Sequence, residues 1–167
     1  MFVVVLQHKI TTVMKHTIFR TKNDWTGLIT RLTLGLILFP HGAQKVFGWF
    51  DGPGFTKEMD MLTGMVHLPW IIAFLVIVIE FAGAIFLIAG FASRIWAIAV
   101  IILFTGIIFS MHLQFGFFMN WFGTQQGEGY EYHLLIIGLS LATLVNGSGK
   151  YAADQFVMQD TGSSNRD

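Results

Sequence analysis

Four long apolar runs limit what this chain can fold into. Residues 27–48 (GLITRLTLGLILFPHGAQKVFG), 68–90 (LPWIIAFLVIVIEFAGAIFLIAG), 95–113 (IWAIAVIILFTGIIFSMHL) and 130–146 (YEYHLLIIGLSLATLVN) each come close to the ~20 residues that a helix needs to cross the hydrocarbon layer of a bilayer. A backbone in lipid finds no water, so its N–H and C=O groups must be satisfied within the segment. Each run therefore predicts a helix, and together they predict an all-α integral membrane four-helix bundle. A soluble protein could hide such helices in a core, but the composition argues against it. Apolar types make up 54% of the 167 residues and charged types 12%, roughly half the usual share. Trp25, Trp49, Trp70, Trp96 and Trp121 lie at or just beyond the ends of the runs, where amphipathic rings favour the lipid–water boundary.

An even number of spans puts both termini on one side, together with the short 90–95 turn. That side carries Lys9, Lys15, Arg20, Lys22, Arg94, Lys150 and Arg166, while the opposite loops carry only Lys57. The positive-inside rule then predicts both termini in the cytoplasm. Residues 1–23 read as an N-terminal cytoplasmic segment, 24–156 as the transmembrane domain and 157–167 as a disordered tail. The opening MFVVVLQ is too short to span, which favours Met14 over Met1 as the start, with an interfacial anchor as the alternative. On the outer side, Asp51-Gly52-Pro53-Gly54 makes a turn. Phe55, Met59, Leu62 and Met65 then recur at helical spacing, predicting a short helix on the membrane surface. The aromatic, glycine-rich 114–129 loop is expected to dip into the interface.

Several chemistries are excluded. The chain has no cysteine, so it has no disulfide, thiolate nucleophile or Cys-ligated cluster. Basic and acidic residues number ten each, which gives no reason to expect a nucleic-acid partner. No close-spaced His/carboxylate pair recurs on two helices, so no metal site is expected.

An ionisable side chain inside a span costs roughly 2.5–3.5 kcal/mol on insertion scales, which makes such residues the main functional leads. Glu80 falls near the midplane of the second run. It reads either as a proton-accepting or ligand-binding carboxyl, or as a hydrogen-bonded strut between helices. In the first run, Arg31, Leu34, Leu38, His41 and Lys45 fall within one stripe about 80° wide. Gly35 and Gly42 border that stripe and invite a close neighbour. Arg31 is expected to snorkel at the inner edge, and Pro40 to kink the helix beside His41. On the fourth run, Glu128, Glu131 and Tyr132 share a face with Gly138 and Ala142, read as the bundle-facing side. His133 points about 140° away and reads as a bystander. His112 closes the third run. His41, Lys45, His112, Glu128, Glu131 and Tyr132 thus converge in the outer half with Glu80 beneath them. Together they predict a polar, ligand-binding pocket that opens outward, with Glu80 and Glu131 as candidate proton carriers.

The same residues carry a family resemblance. R-L-x-L-G-x-x-L-F-x-H-G-x-x-K-x-F-G over Arg31 to Gly48 resembles the first helix of the DoxX family. So do Glu80 followed by Gly83 and Arg94, His112 closing the third helix, and Glu131 opening the fourth. The closing Gly147, Gly149, Lys150, Tyr151 and Asp154 complete a match running from about Asp24 to Phe156. Pro40 and the first twenty or so residues depart from the family pattern. The resemblance implies a four-helix bacterial inner-membrane protein, related to the small membrane subunit of a thiosulfate:quinone oxidoreductase. The function expected from residues and resemblance together is a redox-associated subunit binding a quinone-like molecule, with a membrane or soluble redox partner protein. The alternative is a non-catalytic scaffold or assembly partner of a membrane complex. A transport role would need a homo-oligomer, because four helices make a narrow bundle.

Overall fold

A computed structural model describes residue 14 and residues 17–163, with backbone alone for 159–163. The first thirteen residues, and with them the reading of the start, lie outside the described residues. Helix α1 (Trp25–Phe47) starts where the Asp24 carboxylate accepts a hydrogen bond from the Gly27 N–H at 2.8 Å, the cap that satisfies an orphan donor of the first turn. It continues as helix through Pro40 and stops at Gly48, whose φ of 72° lies in the left-handed region that glycine enters at little cost. The short helix α2 is Gly54–Gly64. Helices α3 (Trp70–Ala89) and α4 (Ser93–Phe115) are both long and apolar enough to cross a membrane by length and composition. Helix α5 is Glu131–Asn146, and α6 is Ala153–Ser163. The described residues form helices and no strand. The α6 helix covers residues 157–163, where composition predicts disorder.

Two π turns interrupt the long helices, Ile79–Gly83 in α3 and Ile108–His112 in α4. Each adds a residue to a turn and re-phases the side chains after it, a device frequent at functional sites. The α1–α3 contact depends on glycine, as expected. A Cβ on Gly42 would stand 2.5 Å from the Phe81 Cα, and one on Gly35 would stand 3.0 Å from the Ala84 carbonyl oxygen. The apolar core fills in around this contact, with Leu34 and Leu38 from α1, Ala84 and Leu87 from α3, and Val100 from α4 all fully buried.

At one end of the bundle the start of α1, the α3–α4 turn and the α5–α6 link meet. The Lys150 N–H donates to the Asp24 carbonyl at 3.0 Å, the Gly149 N–H to Thr21 Oγ1 at 2.7 Å, and the Asp154 N–H to the Gly90 carbonyl at 3.0 Å. Arg31 lies at the centre of this junction rather than snorkelling. It is 1% exposed. Its guanidinium donates to the carbonyls of Leu87, Ile88, Ser148, Lys150 and Tyr151 at 2.5 to 3.1 Å. Those carbonyls belong to a helix end and a loop, where intrahelical partners run short, and a planar five-donor fork suits them. Asp154 accepts from the Ala92 N–H at 2.7 Å and from the Ser148 hydroxyl. Burial pushes its carboxyl above the usual range, opposed by bonds from Ser148, Ala92 and Ser93 and by the Arg31 charge.

The fourth helix is rotated relative to expectation. His133, Ile136, Ser140 and Thr143 form its buried face, while a Cβ on Gly138 would meet nothing within 4 Å. Trp25, Trp49, Trp70 and Trp121 are exposed. Trp96 instead is half-buried over Gly83 and stacks on Phe86 with centroids 5.3 Å apart.

Candidate functional site

The close approach at Gly42 determines what the next turn of α1 can reach. Lys45, three residues on, places its Nζ 2.8 Å from Glu80 Oε2, on the π turn of α3, and 3.7 Å from Glu58 Oε1, on α2. Both carboxylates are buried. The convergence of Lys45 with Glu80 follows from the stripe read in the sequence. Glu58 does not, although it stands three residues after Phe55 and four before Leu62, on the stripe that packs α2 down. Burial pushes the Glu58 carboxyl above the usual range, against the pull of Lys45 and with the help of the Glu80 charge. The two carboxylates share one ammonium, and Glu58, with its carboxyl raised, is the one placed to hold a proton. Apart from the Lys45 ammonium, Glu80 Oε2 has no hydrogen-bond partner among the described residues.

This cluster borders a cavity of about 560 Å³, within the size range of small-molecule sites. Leu38, Val76, Ile79, Leu103 and Phe104 give it apolar walls, and His41, Tyr132, His112 and His133 add further polar groups. Four long helices and the short helix α2 contribute.

The fourth helix enters the cavity with different residues than the sequence suggests. Tyr132 lines it, but Glu128 and Glu131 do not. Glu131 Oε1 accepts from the Met119 N–H at 3.0 Å and the Trp121 indole N–H at 3.3 Å, and Glu128 Oε2 accepts from the Asn120 N–H at 2.7 Å. The two carboxylates satisfy the backbone of the 114–129 loop, which turns them away from the bundle. His133 takes their place. It is 8% exposed, its ring lies 4.2 Å from that of His112, and its Nδ1 has no hydrogen-bond partner among the described residues. His112 Nδ1 lies 2.8 Å from the Glu128 carbonyl oxygen. A carbonyl only accepts, so the Nδ1 of His112 carries a hydrogen and donates it there. Among the described residues, no three His, Asp or Glu side chains group closely enough to hold a metal ion.

Comparison with known proteins bears on the same elements. The DoxX family model matches residues 27–113, more than half of the chain, spanning α1 to α4 with Lys45, Glu58, Glu80 and His112. The chain is also 29% identical over 132 residues to "Putative oxidoreductase CatD" of Bacillus subtilis (strain 168), covering 79% of this chain and 87% of that protein. No solved structure matches. The family match covers both the α1–α3 contact and the ionic cluster it assembles, and the chain belongs to the DoxX family.

Proposed function

We propose that this chain is a redox-associated protein of a bacterial inner membrane, a four-span bundle with both termini in the cytoplasm, that binds a quinone-like molecule beside Lys45. The observation that carries this reading is the buried Lys45–Glu80–Glu58 cluster opening on an otherwise apolar cavity. A carbonyl oxygen placed there accepts a hydrogen bond from Lys45, with His41 as a second donor. Glu80 and Glu58 hold the proton that a reduced oxygen takes up. With its carboxylate engaged by the loop, Glu131 drops out as a proton carrier. Reduction of a quinone to the quinol takes two electrons and two protons. The electrons come from a membrane or soluble redox partner protein, and the second proton from the aqueous side. The junction that ties the start of α1 to the α3–α4 turn and the α5–α6 link supports the topology, because it gathers both ends of the domain on the basic side.

Titrating the bilayer-reconstituted protein with a quinone should quench its tryptophan fluorescence saturably. Lys45→Ala and Glu80→Gln should each weaken binding about tenfold or more, the worth of a charge-assisted hydrogen bond. Quenching that never saturates, or unchanged affinity in both variants, sinks the reading. The scaffold reading draws on the same ion pair, which joins α1 to α3 with or without a ligand. It expects Glu80→Gln to lower the melting temperature, and the protein to co-purify with a partner and bind no quinone.

A further inference from the structure

The shape of the cavity carries an inference about its ligand and the route that ligand takes. From its π turn onward, α3 packs against α4. The preceding stretch, Trp70–Val78, packs on α1 and α2 instead and makes no extensive contact with α4 among the described residues. The two long helices therefore diverge above Glu80, and the cavity lies in the gap. Ile72 and Leu75 on one side, and Ile102, Gly106 and Met111 on the other, both line the cavity and are exposed. These positions belong to the two helices apolar enough to cross a membrane, so their exposed faces meet acyl chains. The aqueous end is covered differently. Helix α2 packs across α1 and α3 there, and turns Glu58, Met61 and Leu62 onto the cavity. Within the lining, the Lys45 ammonium and Glu80 Oε2 meet at 2.8 Å, and the buried His133 Nδ1 has no hydrogen-bond partner among the described residues.

We infer that the ligand enters sideways from the bilayer, between α3 and α4, and is an amphiphile. Its carbonyl or hydroxyl head reaches Lys45 and the imidazoles, and its apolar tail lies in the gap past Ile102 and Gly106. The head-group chemistry rests on the function proposed above, but the route does not. A ligand dissolved in the membrane meets this opening at its own depth, whereas a charged, water-soluble one meets the roof. Gly106 is the natural place to close the gap, because a Cβ there meets nothing within 4 Å.

The absence of cysteine makes the test direct. Val76→Cys places one thiol on the cavity wall of the full chain in liposomes. A dodecyl methanethiosulfonate dissolved in the bilayer and a charged sulfonatoethyl methanethiosulfonate in the buffer then compete for it, with adducts counted by mass spectrometry. The alkyl reagent should win. Adding Gly106→Leu or Ile102→Trp should slow it roughly tenfold, the low end of the spread in association rates among variants of one site. Ile98→Trp, one turn below and outside the cavity lining, should leave the rate alone. Labelling by the charged reagent as fast as by the alkyl one, no labelling by the alkyl reagent, or no slowing in the blocked variants overturns the route. Failure of saturable quinone quenching with the labelling pattern intact sinks the quinone assignment and leaves the route standing.

Discussion

Lys45 is the residue on which the site turns, because among the described residues it is the cation within reach of both buried carboxylates. Removing one partner of a buried ion pair leaves an uncompensated charge, at a cost of about 3–5 kcal/mol. Lys45→Ala should therefore destabilise the protein by that order. The Lys45→Ala/Glu80→Gln double variant should recover part of the loss, with a coupling of roughly 0.5–3 kcal/mol. Denaturant unfolding in micelles measures both, and strictly additive losses would show that the pair is not coupled. His133 shows how a residue's role depends on its neighbours. Helical spacing measured from Glu131 turns it outward, but Glu131 is occupied by the Met119 and Trp121 N–H groups. With that carboxylate drawn to the loop, the buried stripe starts at His133.

At the level of elements, α1 and α3 are held together by backbone approach more than by large side chains. Gly42→Ala would drive a Cβ to within 2.5 Å of the Phe81 Cα. Backbone cannot give way as a flexible side chain can, so the helices must part, at about 1–3 kcal/mol for overpacking. The same substitution at Gly138 meets open space and should be neutral or stabilising by up to ~1 kcal/mol, from helix propensity alone. Paired melting curves for the two variants check this, and equal shifts would refute it. Parting α1 from α3 also withdraws Lys45 from Glu80, so Gly42→Ala should weaken ligand binding as well. The π turn at Ile79–Gly83 has two consequences: it places Glu80 against α1, and α3 diverges from α4 above it.

Across the whole molecule, the junction of Arg31, Asp154 and the backbone around them makes the first and last parts of the domain depend on each other. Burial raises the Asp154 carboxyl above its free value of 3.8, so the folded state holds that proton more tightly than the unfolded one. Its stabilising contribution is complete below pH 3.8 and fades as pH rises through the raised value. The wild type should thus lose stability relative to Asp154→Asn as pH climbs from that range toward neutral. Melting temperatures across a pH series test this, and parallel curves for the two proteins would overturn it. The helical class, the two long apolar helices, the short helix α2 and the meeting of Lys45 with Glu80 could all be read from the chain before folding. Each rests on local periodicity, on the need of an apolar helix to satisfy its own backbone, or on the need of a buried charge for a partner. Glu58, the exchange of Glu131 for His133, the burial of Arg31 and the sideways gap could not be read in that way. They depend on how elements far apart in the chain pack together. Helix-end and loop carbonyls gather round Arg31, loop N–H groups draw Glu131 away, and α3 and α4 leave a gap between them.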